Sequence, residues 1–181
     1  HLYLDTRGIV TVGVGHAIVS PEEAATLPFV ITAAANATPP VRATSNEIHK
    51  GWRDVKALQR GRLSEYYKPF TSFILPDTEI DSLLDSDVDK VAMALTTGIF
   101  SLAGFSDFPQ PAQDALLDMG FNLGAHGLKR DFVELHVLAE MKDWVGCSHN
   151  CHRKGVSEER NKAAADLFMK AAADKPTDLS A

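Results

Sequence analysis

The sequence predicts an α+β protein that is mostly helical, in which a small β-hairpin lobe is joined by one long helix to a helical lobe. Three observations lead to this class. Alternating apolar residues occur near the start of the chain, an unbroken helical stripe runs from 77 to 97, and shorter helical patterns fill the remainder. We therefore divide the chain into a small lobe at 1–76, an inter-lobe helix at 77–97 and a helical lobe at 98–181, which together form one domain.

The stretch LYLDTRGIVTVGVGH, residues 2–16, predicts the hairpin. In its second half, valines alternate with Thr11, Gly13 and Gly15, which predicts one apolar face and one nearly bare face. The segment Asp5-Thr6-Arg7-Gly8 has the composition of a turn. Two glycines on one face indicate either a ligand close to the backbone or a structural hairpin whose glycines relieve twist. Nucleotide binding is disfavoured, because GVGHAI lacks the third glycine of the dinucleotide pattern.

Two helices are predicted before the long one. Ser20-Pro21-Glu22-Glu23 has the capping hydroxyl, proline and acids of a helix start, and this helix must be short. A second helix is expected from about Ser45 to a point before Gly61, after a loop that contains Pro39-Pro40. Its apolar residues recur at helical spacing: Ile48, Trp52, Val55 and Leu58.

The long helix has the clearest pattern. Its apolar stripe comprises Ile80, Leu83, Leu84, Val88, Val91, Ala92 and Leu95. At 1.5 Å per residue it spans about 30 Å, which is long enough to link two lobes. In the helical lobe, one helix begins at Pro111 and is punctuated by Gly124 and Gly127, and Ser157 caps a last helix.

Charge and hydropathy exclude several classes of partner. A formal net charge of −6 argues against nucleic acid and against an anionic membrane surface. No run is apolar and long enough to span a bilayer, and no signal peptide is visible at the start.

The two cysteines, Cys147 and Cys151, lie four residues apart. On a regular helix this spacing is too wide for a relaxed disulfide, so we interpret them as free thiols near a helix end, and the compartment stays undecided. Neighbouring His149 and His152 raise the alternative of a zinc site. That alternative is disfavoured because the cluster lacks the paired, separated ligand spacing of structural zinc sites.

The hairpin resembles the active-site hairpin of the phage T4-type lysozymes, glycoside hydrolases that cut the sugar backbone of peptidoglycan. That family reads Tyr-x-Asp-Thr-x-Gly and then Thr-x-Gly-x-Gly-His, and eight residues fall in register: Tyr3, Asp5, Thr6, Gly8, Thr11, Gly13, Gly15 and His16. Three further segments resemble parts of the family. The inter-lobe helix of the family is similar to EIDSLLDSDVDKVAMAL, and its cleft-facing helix is similar to DALLDMGFNLG. The family segment that carries the arginine is similar to GVSEERNKAAADLF. Residues 17–75 exceed the usual family length and are interpreted as an insertion.

The resemblance implies a role for each residue of the hairpin. Asp5 resembles the carboxylate that activates water or attacks the sugar, and Thr11 matches the position that helps to hold the water. Gly13 and Gly15 would line the groove where a sugar ring lies against the backbone. Thr11 could also be an ordinary strand threonine. His16 is interpreted as structural, with Asp87 on the long helix as its proposed ion-pair partner.

The resemblance also implies site residues in the helical lobe. Phe121 and Asn122 match the wall of the cleft, where an aromatic ring packs and an amide binds the acetamido groups of the sugar. Arg160 matches the arginine beside the general acid. The alternatives are a core role for Phe121 and a surface role for Arg160.

The general acid itself is implied to be a glutamate upstream of residue 1, on a helix that precedes the hairpin. Two explanations remain open: an upstream segment carries this glutamate, or the chain is a non-catalytic relative that binds glycan. We favour the first, because a domain would hardly begin at the opening strand of its own hairpin.

The resulting expectation is a lysozyme-like muramidase that hydrolyses the bond between N-acetylmuramic acid and N-acetylglucosamine. No cofactor and no metal are implied, and a monomer is expected. The expected partners are peptidoglycan glycan strands and an immunity protein, since the extra segment at 17–75 and the start at the hairpin favour a toxin or effector domain that a separate export route delivers to the periplasm. The rivals are a glycan-binding module without the acid and a zinc-dependent wall hydrolase that uses the cysteines and histidines.

Overall fold

The computed structural model describes residues 1–98 and 100–174. It is mostly helical with small antiparallel sheets, which confirms the α+β class. The chain forms two compact units, the first from His1 to Ser86 and the second from Asp87 onward, and their boundary falls inside helix α3, Asp77–Thr96. The predicted division at residues 76 and 97 stays a prediction. Residues 99 and 175–181 of the predicted helical lobe lie outside the described residues.

The predicted hairpin is a three-stranded antiparallel sheet in the order β1-β2-β3. Its strands are β1 (Tyr3–Leu4), β2 (Val10–Val12) and β3 (His16–Ala17). The alternation predicted as far as Val14 is wrong, because β2 ends at Val12 and Val14 is 58% exposed in a turn. The cause is local: Gly13 and Gly15 have φ values of +60° and +114°, which form a turn and not a strand.

Residues 18–75 form six elements of the first unit, one of which is the short 3₁₀ helix Thr32–Ala34, and the other five carry the core and the second sheet. These five are α1, Pro21–Ala24; β4, Val30–Ile31; α2, Ser45–Lys56; the 3₁₀ helix Ser64–Phe70; and β5, Phe73–Ile74, which pairs with β4. The two predicted helices are confirmed. The Ser20 side chain accepts a hydrogen bond from Glu23 N at the start of α1, and Thr44 and Glu47 form a capping box at the start of α2.

This segment builds the core on which the sheet rests. The members of the core cluster that come from it are Ile18, Ala24, Phe29, Ile48, Val55, Tyr67, Phe73 and Leu75. They pack with Leu2, Leu4, Val10 and Val12 of the sheet, and Trp52 Nε1 donates to Ile18 O at 3.2 Å. The expected insertion is therefore a structural part of the first unit, without which the sheet would lose its apolar support.

In the described residues, the second unit contains the end of α3, a short 3₁₀ helix, Phe105–Asp107, and four further α-helices. These are α4, Gln110–Asp131; α5, Val133–Glu140; α6, Trp144–His149; and α7, Glu158–Ala173. Helix α7 packs against α4 and α6, and the predicted Ser157 cap is confirmed. Gly124 breaks α4 with a φ of +71°, as predicted, but Gly127 is buried in the helix that resumes afterwards. Within the described ranges, no helix is long and apolar enough to cross a membrane.

Gly51 lets α2 approach β5 closely, and its replacement tests the packing of the first unit. A Cβ at Gly51 would lie 2.7 Å from Phe73 Cε1. We expect Gly51→Ala to lower the free energy of unfolding by about 1 to 2 kcal/mol, although alanine favours helices, because overpacking outweighs propensity. Urea denaturation measures the change. The control is Lys50→Ala on the exposed side of α2, which should change the free energy of unfolding by less than about 0.5 kcal/mol. An unchanged or increased stability for Gly51→Ala would contradict the close packing of α2 against β5.

Candidate functional site

The turn between β1 and β2 is built around the Asp5 carboxylate. Oδ1 accepts hydrogen bonds from Arg7 N at 2.9 Å and from Ile9 N at 2.7 Å, and Oδ2 accepts one from Arg7 Nε at 3.3 Å. The backbone closes the same turn, since Gly8 N donates to Asp5 O at 3.0 Å. The Asp5 side chain is 24% exposed, so the carboxylate is fixed in orientation yet still reaches solvent.

Thr11 is tied to the same turn. Its hydroxyl donates to Ile9 O at 3.0 Å, and Asp5 N donates to the same carbonyl oxygen at 3.0 Å. Ile9 therefore joins the two predicted catalytic residues, through its N–H to Asp5 and through its carbonyl to Thr11. Because the Thr11 hydroxyl uses its proton on Ile9 O, its remaining capacity is to accept hydrogen bonds. Thr11 is only 2% exposed.

The backbone conformation explains why residues 13 and 15 are glycines. Both have positive φ in the turn after β2, where L side chains are strained. A Cβ at Gly13 would lie 2.9 Å from Ile80 Cγ2, so this position is filled by helix α3. Tyr3 OH donates to Gly13 O at 3.3 Å, and burial, followed by the charge of Asp5, raises the pKa of Tyr3. These contacts favour the structural interpretation of the two glycines.

The end of helix α2 and the segment after it contact the Asp5 turn. Lys56 Nζ donates to Gly8 O at 2.7 Å, and a Cβ at Gly8 would lie 3.5 Å from Arg60 Cδ. The sequence analysis missed Lys56. Its only signal was its place outside the apolar stripe of α2, which is typical of any solvated lysine.

Arg160 is paired with Asp118 of α4. Its Nε donates to Asp118 Oδ1 at 2.9 Å, and the fully buried Arg153 donates from Nη1 to Asp118 Oδ2 at 2.7 Å. Arg153 also donates from Nη2 to Arg160 O at 3.2 Å, and its backbone N–H donates to Asn161 Oδ1 at 3.0 Å. The structure thus adds Arg153, Asp118 and Asn161 to the predicted Arg160 and joins α4, α7 and the preceding loop.

Two guanidinium groups share one carboxylate in this cluster. Burial alone would raise the pKa of Asp118, but the hydrogen bonds from Arg160 and Arg153 outweigh it and lower that pKa below its ordinary value. Asp118 is therefore an ion-pair acceptor at neutral pH and is unsuited to donate a proton as a general acid.

The remaining predicted residues are placed separately in the two units. Phe121 and Asn122 are half-buried on α4, just before the break at Gly124. His16 lies in β3 of the first unit, and Asp87 of the second accepts a hydrogen bond from Lys90 Nζ at 2.9 Å. The predicted His16–Asp87 ion pair stays a prediction, and so does the groove expected between the hairpin and the residues Phe121, Asn122 and Arg160.

The second unit contains a cavity of about 660 Å³ beside the arginine cluster. Its charged and titratable lining residues are Asp131, Glu134, His149, His152, Arg153 and Lys154. His152 Nε2 lies 3.3 Å from Glu158 Oε1. The mixture of acids and bases suits a polar ligand with groups of both signs.

Cys147 and Cys151 are buried free thiols, as preferred from the sequence. Burial, followed by the charge of Asp143, raises the pKa of Cys147 to about 12. Burial thus disfavours the thiolate form, the form that a zinc ligand takes, in the metal-free protein. Over residues 1–98 and 100–174, no three His, Cys, Asp or Glu side chains are grouped to hold a metal ion.

Comparisons of the chain with protein-family models, with curated proteins and with solved structures return no match.

Replacement of Asp118 tests the arginine cluster. Asp118→Asn leaves the buried guanidinium of Arg153 without its counter-charge, so we expect a loss of about 3 kcal/mol at pH 7 by urea denaturation. The pKa of Asp118 is lower in the folded protein than in the unfolded chain. The stabilisation by this carboxylate is therefore present above about pH 4 and is lost as the pH falls through the pKa of the folded state.

The difference in the free energy of unfolding between wild type and Asp118→Asn should therefore become smaller at acidic pH. Asp166→Asn, which breaks the exposed pair with Lys162 on α7, is the control and should cost less than about 1 kcal/mol. Equal stability of wild type and Asp118→Asn at pH 7 would contradict the role given to the cluster.

Proposed function

We propose that the protein is a lysozyme-like glycoside hydrolase that cleaves peptidoglycan between N-acetylmuramic acid and N-acetylglucosamine. The observation that carries this proposal is the link between Asp5 and Thr11 through the backbone of Ile9. A carboxylate and a hydroxyl held by the residue that follows a β-turn match the pair that the lysozyme resemblance implies.

In the proposed mechanism, Asp5 and Thr11 activate a water molecule. Oδ1 of Asp5 is occupied by two backbone N–H groups, whereas Oδ2 has the single, longer contact to Arg7 Nε. Oδ2 and the Thr11 oxygen can both accept hydrogen bonds. A water that donates one hydrogen to each would direct its lone pair away from the turn, and Asp5 would take its proton as general base.

Protonation of the leaving oxygen needs a second carboxyl group. The resemblance implies a glutamate upstream of residue 1 for this step, and the lowered pKa of Asp118 makes that residue a poor substitute. The proposal carries no cofactor. It includes action on the cell wall after delivery by a separate export route, with an immunity protein as the partner that protects the producing cell.

One observation favours a second candidate, a glycan-binding module that does not cleave. The Asp5 carboxylate accepts three hydrogen bonds from its own turn, and Thr11 is 2% exposed. An Asx-type turn uses these residue types for purely structural reasons. The two candidates differ in whether the charge of Asp5 is needed for more than folding.

Asp5→Asn separates these roles in the protein at its full natural length. The asparagine carbonyl oxygen can still accept from Arg7 N and Ile9 N, so the turn and the stability should persist within about 1 kcal/mol. Loss of the general base should lower the rate of sacculus hydrolysis by about 10² to 10⁴-fold. Release of soluble muropeptides measures the rate, and thermal unfolding measures the stability.

Thr11→Ser is the matched control, because it keeps the hydroxyl that donates to Ile9 O, and it should retain most of the activity. Thr11→Val removes the hydroxyl and should lose activity. Wild-type protein that binds sacculi without cleaving them would favour the binding module, and full activity of Asp5→Asn would refute the role given to Asp5.

A further inference from the structure

The 3₁₀ helix Ser64–Phe70 buries one aromatic ring and exposes two. Tyr67 is fully buried, and its hydroxyl donates to Gln59 O at 2.7 Å. Tyr66 and Phe70 are 42% and 40% exposed, and Leu63, just before the helix, is 84% exposed. Large apolar side chains exposed side by side are typical of an interaction surface.

The two exposed rings are held in place by their neighbours. The ring centroids of Tyr66 and Phe70 lie 5.7 Å apart, and the Tyr66 ring packs edge-on against Tyr67 at 5.1 Å. Arg62 Cζ lies 5.6 Å from the centroid of Tyr66. Because Tyr67 anchors the helix in the core, the exposed rings form a preorganised pair that loses little conformational freedom when it binds a ligand.

The same surface is basic in an acidic chain. The formal net charge of the protein is −6, yet residues 53–62 contain four exposed basic side chains, Arg53, Lys56, Arg60 and Arg62. The two acids of residues 53–70, Asp54 and Glu65, are paired with Lys50 and Lys68. We call Arg60, Arg62, Leu63, Tyr66 and Phe70 the aromatic-basic surface. Its charge is complementary to an anionic ligand.

The aromatic-basic surface begins at the proposed site. Arg60 packs against Gly8 and Lys56 donates to Gly8 O, in the turn that Asp5 closes. A polymer that occupies the Asp5 turn can therefore continue onto this surface. This continuity favours the polymer that is cleaved over a separate lipid or nucleic-acid partner.

We propose that the aromatic-basic surface is a second binding site for the anionic glycan strand of peptidoglycan, distinct from the site of cleavage. The apolar C–H faces of sugar rings would lie on Tyr66 and Phe70. Arg60 and Arg62 would pair with the carboxylates of the lactyl and peptide groups. This inference rests on the proposed function, because it takes the strand that Asp5 helps to cleave as its ligand.

Binding to purified sacculi tests the inference in an Asp5→Asn background, where digestion is removed. Addition of Tyr66→Ala with Phe70→Ala should raise the dissociation constant in a pelleting assay at least tenfold. Arg60→Gln with Arg62→Gln should weaken binding and reduce its dependence on salt. The matched control is Val137→Ala with Met141→Ala, exposed apolar residues in α5 and just after it, and it should change binding less than twofold. Thermal unfolding checks that every variant is folded.

Unchanged sacculus binding by the folded Tyr66/Phe70 variant would overturn the inference. Binding to phosphatidylglycerol vesicles that depends on these rings, without binding to sacculi, would overturn it also. The proposed function can fail separately from this inference. If sacculus binding requires Tyr66 and Phe70 but the wild-type protein cleaves nothing, the result supports the binding surface and contradicts the hydrolase. If cleavage requires Asp5 but sacculus binding does not depend on Tyr66 and Phe70, the result supports the hydrolase and contradicts the binding surface.

Discussion

The hydrogen bonds from the backbone of residues 7 and 9 to the Asp5 carboxylate are the constraint on which the β1–β2 turn and the proposed site depend. They close the turn between β1 and β2, and the carbonyl of Ile9 fixes the Thr11 hydroxyl at the same time. One side chain therefore specifies the turn and presents a carboxylate oxygen to solvent. Lys56 supports this turn through Gly8 O, so the helical segment at 17–75 contributes to the placement of Asp5 as well as to the core.

The second unit uses charge differently. Its buried guanidinium, Arg153, is satisfied by Asp118, by Asn161 and by the carbonyl of Arg160, which together tie α7 to α4. A buried arginine without such partners would be strongly destabilising. Arg160 shares the Asp118 carboxylate and remains partly exposed, so its position is set from the interior while its outer face stays accessible to other groups.

Local signals predicted the helices well, because caps and apolar stripes depend on residues three or four apart. Ser20, Thr44 and Ser157 all cap helices in the structure, although the Thr44 cap was not itself foreseen. The end of β2 was missed because glycines fit both a bare strand and a turn, and only the backbone angles separate them. Arg153 and Asp118 lie 35 residues apart, and no periodic pattern links such positions. Of the predicted site, the sequence indicated Asp5 and Thr11 but not the part that Ile9 and Lys56 play in holding them.

The most direct measurement of the central claim is mass spectrometry of the products released from sacculi in ¹⁸O-labelled water by the protein at its full natural length. If a water activated at the Asp5 turn attacks the glycosidic bond, the products are muropeptides with a new reducing N-acetylmuramic acid end that carries one ¹⁸O atom. Muropeptides with an anhydro end and no label, or free peptides released from uncut glycan strands, would contradict the account.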